Sequence, residues 1–139
     1  IMAYWIAKSD PETYSIFDLQ RDGRTIWDGV RNFQARNYLA KMAIGDTVLI
    51  YHSNTDKSIV GIAEVTKEAF PDPTADDERW LAVELKFVSM LEKPVSLDRI
   101  KKDNILNNIA LVKQQRLSVM PITEEEYHRI IEFSSTIEE

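Results

Sequence analysis

Few side chains in this sequence are suited to catalysis. Cysteine is absent, and only two histidines occur, His52 and His128. Without thiolates the chain has no cysteine nucleophile, redox pair or zinc-finger spacing, and two histidines alone disfavour a transition-metal site. His52 precedes Ser53, but neighbouring residues of a strand point to opposite faces, so His52 is expected to be a hydrogen-bonded structural residue. The four glycines are scattered, which excludes a glycine-rich phosphate loop.

More residues are suited to ligand recognition than to catalysis, above all those around Trp27. This tryptophan lies between turn residues and the polar run 28–37, which would place an aromatic face beside several donors and acceptors. Such a combination can stack a planar base and hydrogen-bond its edge. We expect Trp27 to present its ring to a ligand, while the alternative that it fills the core stays open. Trp5, inside an apolar stretch, is expected to fill the core.

The charge of the chain limits its partners. The 139 residues carry 17 basic and 23 acidic side chains, a net charge of −6, and six of the glutamates lie in 122–139. This balance excludes a strongly basic protein that neutralises many phosphates, although a local basic rim is compatible with it. With 44% hydrophobic residues, a chain of this length can bury the core of one domain without a disulfide or zinc.

Alternation and turn chemistry predict several strands. Residues 47–52 and 58–66 are rich in Val, Ile and Tyr and flank the turn residues 53–56, which predicts a hairpin. Gly61 in its second strand predicts a bulge or a close contact. Other strands are expected at 4–8, 25–27, 80–91 and 117–119, with a loop over 70–78.

Capping residues mark the starts of three or four short helices. Asn32 is the expected N-cap of a helix that ends before Gly45, and Ser96 that of a helix ending near 102. Thr123 and Glu126 form a capping box for the final helix. A further short helix is expected over 14–20. The sum is a mixed α+β domain with a curled or barrel-like sheet.

Eight segments in the order of the chain resemble the EVE domain family. They are 4–11 (YWIAKSDP), 27–37 (WDGVRNFQARN), 45–46, 51–54, 60–65, 71–74, 93–97 and 116–119. The likeness covers nearly the whole chain. Two departures are mild: Asp10 stands where the family usually has Glu, and Phe33 where it usually has Tyr.

The resemblance implies one PUA-like domain over 2–135, a curled mixed β-barrel with flanking short helices, and an acidic tail at 136–139. Its implied function is that of a non-catalytic reader of a modified nucleobase, chiefly modified cytosine in DNA, with a modified RNA base as the alternative. No cofactor or metal is implied. The base-binding residues would be Trp27 as a stacking wall, with Lys8, Ser9, Tyr51, His52, Ser53 and Trp80. The nucleic-acid backbone or the pocket rim would be held by Arg31, Asn32, Gln34, Arg36, Asn37, Arg116 and Ser118.

Several alternatives stay open on the sequence alone. An enzyme resembling a nuclease or hydrolase could use the same pocket, but the chain offers it only Asp28, His52 and scattered carboxylates. A small-molecule or protein-interaction domain is the third function. Among the implied site residues, Asn32 could only cap its helix and Arg36 could only pair with a carboxylate.

The expected setting follows from what the sequence lacks. No apolar run approaches the roughly 20 residues that span a bilayer, and the first residues lack the order of a signal peptide. Zero cysteines fit a reducing compartment. We therefore expect a cytoplasmic monomer whose partner is nucleic acid with a modified base, not a membrane.

Overall fold

The computed structural model describes residues 2–135, in which six strands and five helices confirm the mixed α+β class. The elements are β1 (Tyr4–Ser9), α1 (Ile16–Asp22), β2 (Arg24–Trp27), α2 (Phe33–Lys41), β3 (Thr47–His52), β4 (Ser58–Pro71), β5 (Leu81–Ser96), α3 (Leu97–Lys102), α4 (Ala110–Lys113), β6 (Val119–Ile122) and α5 (Glu124–Ser135). The acidic tail expected at 136–139 lies outside the described residues.

The strands form one mixed sheet that is not closed into a barrel. Their order is β2-β5-β4-β3-β1-β6, with β1 parallel to β3 and the other neighbours antiparallel. Within residues 2–135, β2 and β6 end this order and do not pair with each other, so the expected closure is wrong. Both end strands have four residues, and Pro121 in β6 has no N–H to donate to a further strand.

The centre of the sheet is buried on both faces. Val48, Leu49 and Ile50 of β3 are buried in succession, as is typical of a strand covered on both sides. Trp5 in β1 is 5% exposed, and its indole Nε1 donates to Asp46 Oδ2 at 3.0 Å. The prediction that Trp5 fills the core is confirmed.

β3 and β4 form the predicted hairpin, and Gly61 has both predicted features. The pairing register shifts between Ile59 and Gly61. A Cβ atom at Gly61 would lie 2.5 Å from Cδ1 and 2.7 Å from Cγ1 of Ile16, the first residue of α1. The missing side chain therefore lets α1 pack directly against the sheet.

Three predicted helix starts are confirmed. The Asn32 side chain accepts from Ala35 N–H at 2.9 Å at the start of α2, and the Ser96 side chain caps α3. At the start of α5, Thr123 N–H donates to Glu126 Oε1 at 2.8 Å, and Glu126 N–H donates to Thr123 Oγ1 at 3.1 Å.

Several boundaries differ from the sequence expectations. The first helix begins at Ile16 rather than at 14, because Ser15 and Asp18 form a capping box there. β4 continues to Pro71, into the expected loop, and β6 starts at Val119, two residues later than expected. The helix α4 was not predicted.

Candidate functional site

A cavity of about 620 Å³ lies between the two ends of the sheet. One wall comes from β2 and the loop that follows it, and the other from the end of β1 and the segment that enters β6. The lining residues are Lys8, Ser9, Asp10, Thr13, Tyr14, Thr25, Ile26, Trp27, Asp28, Gly29, Val30, Arg31, Asn32, Arg116 and Ser118. The end strands β2 and β6 do not pair, and the cavity occupies the gap between them.

Trp27 lines this cavity but is also part of the core. It is 8% exposed, and its ring meets Tyr14, another lining residue, edge-on with centroids 6.4 Å apart. The alternative left open by the sequence, that Trp27 fills the core, therefore holds together with its place in the cavity wall. It is the last residue of β2 and pairs with Val83 of β5, so the strand holds it against the sheet.

Lys8 and Ser9 line the opposite wall, as the resemblance implied. Lys8 Nζ donates to the carbonyl of Gln115 at 2.7 Å, and burial lowers the pKa of this lysine. An ammonium has three N–H donors, so two remain for a ligand. Ser9 Oγ donates to the carbonyl of Tyr14, which leaves its lone pairs as acceptors.

Asp72, which sequence analysis did not single out, fixes the loop after Trp27. Its Oδ2 accepts from Gly29 N–H at 2.8 Å and from the Arg31 guanidinium at 2.9 Å, and its Oδ1 accepts from the N–H and hydroxyl of Thr74. Burial alone would raise the pKa of Asp72, but the hydrogen bonds from Thr74, Arg31 and Gly29 hold that pKa well below its usual range. The only signal was the Asp-x-Thr turn within 71–74.

The remaining lining residues of the predicted rim differ in how they are held. Arg31 is committed to Asp72 and Thr74, and Asn32 both lines the cavity and caps α2. Arg116 is exposed and makes no ion pair with any described residue. Ser118 donates no side-chain hydrogen bond within 2–135, and its carbonyl accepts from Lys8 N–H at 2.8 Å.

Tyr51, His52 and Ser53 do not line the cavity, contrary to expectation. His52 is 2% exposed, and its Nε2 accepts from Ile16 N–H at 2.9 Å, so Nδ1 carries the proton and donates to Asp56 at 2.9 Å. It is the hydrogen-bonded structural histidine that the residues predicted. Tyr51 and His52 end β3 and Ser53 follows it, and β3 lies one strand farther from the gap than β1.

Tyr51 and Ser53, the two neighbours of His52 in the chain, contact the end of β1. Ser53 N–H donates to the carbonyl of Ser9 at 2.9 Å. The Lys8 ammonium lies 5.9 Å from the ring centroid of Tyr51, which is buried, and burial raises the pKa of that phenol. These residues therefore position Lys8 and Ser9 rather than touch the cavity.

Four other expected contacts lie outside the cavity. Trp80 does not close it but stacks on Phe33, with ring centroids 4.6 Å apart. Gln34, Arg36 and Asn37 are on α2 beyond the rim. Arg36 Nε donates to the carbonyl of Arg79 at 2.6 Å, and the pairing of Arg36 with a carboxylate is not seen in residues 2–135.

Two further features concern metals and membranes. No group of three or more His, Cys, Asp or Glu side chains in 2–135 could hold a metal ion. Across the same residues, no helix has the length and apolar character needed to cross a membrane.

Comparison with known proteins decides the family. The family model described as the EVE domain matches residues 3–133, almost the entire chain. The chain belongs to the EVE domain family. The resemblance found in the sequence is therefore confirmed.

Relatives of this EVE domain extend from bacteria to mammals. Thymocyte nuclear protein 1 of Rattus norvegicus is 36% identical, over 92% of this chain and 72% of that protein. A crystal structure from Agrobacterium tumefaciens is 40% identical with a TM-score of 0.93, covering 96% of this chain and 93% of the other. Human THYN1 protein, solved in complex with DNA containing 5-methylcytosine, is 31% identical with a TM-score of 0.90, covering 98% and 99%.

A more distant neighbour relates the fold to a wider group. The ASCH protein of Zymomonas mobilis superposes with a TM-score of 0.62 at 14% identity, over 98% of this chain and 99% of that one. This likeness concerns the fold alone. The EVE domain therefore shares its mixed sheet and short helices with the PUA-like group of folds to which ASCH belongs.

Proposed function

We propose that this EVE domain binds a modified cytosine of DNA, with the base in the cavity beside Trp27. The observation that carries the proposal is the cavity itself, which combines an indole with hydrogen-bonding groups between the sheet ends. The relative crystallised with DNA containing 5-methylcytosine supports the choice of ligand. A cavity of about 620 Å³ is within the usual range for small-ligand pockets.

The lining groups suit the edge of a cytosine. The two N–H donors left on Lys8 match the O2 and N3 acceptors of the base, and the lone pairs of Ser9 match its amino group. The Trp27 and Tyr14 rings supply apolar surface for the base. A 5-methyl group contributes about 0.8 kcal/mol on burial, or about fourfold in affinity. Extrusion from a duplex costs a few kcal/mol, so single-stranded or mismatched DNA should bind better.

The proposed role is recognition without catalysis. The hydroxyl of Ser9 donates to a backbone carbonyl, and His52 is outside the cavity with Nε2 accepting from Ile16. Neither residue has the partner that activates a nucleophile. We therefore assign Ser9 to base binding and His52 to the support of the fold.

The proposal is tested with matched oligonucleotides that differ only by a methyl group on one cytosine. Fluorescence anisotropy should show preference of about fourfold for the methylated single strand. An RNA of the same sequence with 5-methylcytosine is the parallel ligand, and stronger binding there would move the proposal from DNA to RNA. Equal affinity for methylated and unmethylated strands of both kinds would contradict it.

A matched pair of tryptophan variants locates the site. Trp27→Leu removes a cavity ring and should weaken binding of the methylated strand about tenfold, in the range of one lost base–aromatic stack. Trp5→Leu removes a ring that is also buried but does not line the cavity. Both variants should lose stability, so equal losses of affinity would attribute the effect to the fold.

A further inference from the structure

Two stacked aromatic rings lie beside the cavity without lining it. Phe33 and Trp80 have ring centroids 4.6 Å apart and an interplanar angle of 27°. Phe33 is 54% exposed, and it directly follows Asn32, which lines the cavity. A single exposed apolar side chain is ordinary on a protein surface. A stacked pair next to a ligand cavity is different, because a third ring can contact it where Phe33 is exposed.

Hydrogen bonds to backbone carbonyls next to these rings help to fix their position. Asp72 N–H donates to the carbonyl of Trp80 at 2.8 Å, and Arg36 Nε donates to the carbonyl of Arg79 at 2.6 Å. The second contact ties α2, which begins at Phe33, to the segment before β5. The pair is therefore set before a ligand arrives, which reduces the entropy lost on binding.

Arginines surround this aromatic pair. The guanidinium carbon of Arg31 lies 5.7 Å from the Trp80 ring centroid, and that of Arg79 lies 5.9 Å from the Phe33 centroid. Arg31 also lines the cavity, so the two sites are contiguous. Arg79 is paired with Asp77 and Arg31 with Asp72. Arg36 has no carboxylate partner in the described part of the chain. Its Nε donates to the Arg79 carbonyl and its Nη1 to Asn37 Oδ1 at 3.0 Å, so Nη2 is the nitrogen that would bind a phosphate.

We propose that Phe33 and Trp80 form a stacking platform for the base of a nucleotide adjacent to the one in the cavity, with Arg36 binding a backbone phosphate between them. The inference rests on the proposed function and specifies its ligand as a single strand of at least two nucleotides, not a free nucleoside. Because every base has an aromatic face, the platform tolerates any neighbouring base.

The test compares strands that have bases, or abasic sites, on both sides of one methylated cytosine. The wild-type protein should bind the base-flanked strand about tenfold more tightly than the abasic one, as expected for one stacked base. Phe33→Leu keeps an apolar side chain but removes the ring, and should bind the two strands equally. Phe17→Leu is the matched control, since Phe17 is 67% exposed on α1 and outside the cavity lining. It should keep the tenfold difference.

The outcomes separate this inference from the proposed function. A wild-type protein with no preference for base-flanked strands overturns the platform, as does a Phe33→Leu variant that keeps the full preference. Either result is independent of the methyl comparison. A protein that prefers base-flanked strands but binds methylated and unmethylated cytosine equally keeps the platform and loses the proposed function. Thermal melting of both phenylalanine variants establishes that they are folded.

Discussion

The buried carboxylate of Asp72 shows how one residue can set the shape of a binding cavity. Removing its charge from water is costly, but four hydrogen bonds from Gly29, Arg31 and Thr74 favour the ionised form. The lowered pKa of Asp72 means that the hydrogen bonds outweigh the burial. The same contacts hold the wall that follows Trp27.

Asp72→Ala should therefore destabilise the domain and weaken ligand binding together. The substitution leaves Gly29 N–H and the Arg31 guanidinium without their acceptor, at a cost of about 3 kcal/mol. Urea denaturation measures this loss. Asp77→Ala is the control, because Asp77 pairs with Arg79 at the surface, and its free energy of unfolding should not change measurably. Equal stability of the two variants would contradict the role given to Asp72.

Acid should remove the contribution of Asp72 in a defined direction. The folded pKa is below the ordinary 3.8, so this stability is present above about pH 3.8 and lost as pH falls toward the folded value. Asp103, whose pKa the Arg129 guanidinium lowers, acts in the same direction. Free energies of unfolding measured from pH 6 downward should fall less steeply in Asp72→Asn than in the wild type. Parallel curves would show that Asp72 has an ordinary pKa in the folded state.

At the scale of the elements, short-range chemistry decides where helices begin and how they meet the sheet. The Thr123–Glu126 box satisfies two backbone donors at the start of α5. Tyr127 of this helix stacks on Tyr4 of β1 with centroids 4.4 Å apart, and neither tyrosine lines the cavity. We therefore expect the helix to support the fold rather than the binding of a ligand.

Thr123→Ala should lower the free energy of unfolding by about 1 kcal/mol through the lost cap. Affinity for the methylated strand should be unchanged. Thr55→Ala removes the same atoms from an exposed threonine of the β3–β4 turn and should be neutral. Denaturation and anisotropy on the same samples separate the two effects, and a lower affinity would mean that α5 belongs to the site.

Gly61→Ala should destabilise the contact between α1 and the sheet by about 2 kcal/mol, because the new Cβ would overlap Ile16. The cost should shrink when the alanine is introduced together with Ile16→Ala, which removes both clashing atoms. The carbonyl oxygen of Ser89 would lie 3.2 Å from that Cβ, so this contact would remain tight. A double-mutant cycle measures the coupling, and strictly additive losses would contradict the close contact.

Structural features that depend on residues close together in the chain were predictable from the sequence. The Asn32, Ser96 and Thr123 caps and the bulge at Gly61 all follow from local chemistry. The position of His52 depends instead on β1 pairing between β3 and β6, an order that no local pattern contains. The position of Trp80 was also not predictable from local sequence, since its contact with Phe33 joins residues that are 47 positions apart in the chain. Lys8 and Ser9 were identified through the family resemblance, whereas Trp27 was already indicated by the polar run that follows it.

At the scale of the whole molecule, charge limits how many phosphates the domain can contact. The net charge is −6, and around the cavity two arginines, Arg36 and Arg116, have no carboxylate partner among the described residues. Two or three phosphate contacts are what such a surface supports. Most of the binding energy should then come from the enclosed base and its stacked neighbour.

The dependence of affinity on salt should accordingly be shallow. Each phosphate contact contributes a slope of about −0.7 on single strands, so the logarithm of affinity against that of salt should have a slope shallower than about −3. Arg36→Gln should reduce the slope by about 0.7, whereas Arg21→Gln, on α1 and already paired with Asp22, should leave it unchanged. Titrations across a salt series measure both. A steep slope without preference for methylated strands would favour plain electrostatic attachment.

The unpaired ends of the sheet also bear on how new specificities arise in this family. Because no ladder hydrogen bond crosses the gap, Thr25 and Ile26 can change on one wall while the pairing of β1 with β3 and β6 stays intact. Substitutions at these two positions can therefore reshape the cavity without disturbing those strand pairings. Directed evolution of these two positions is a direct route to sensors for bulkier cytosine modifications.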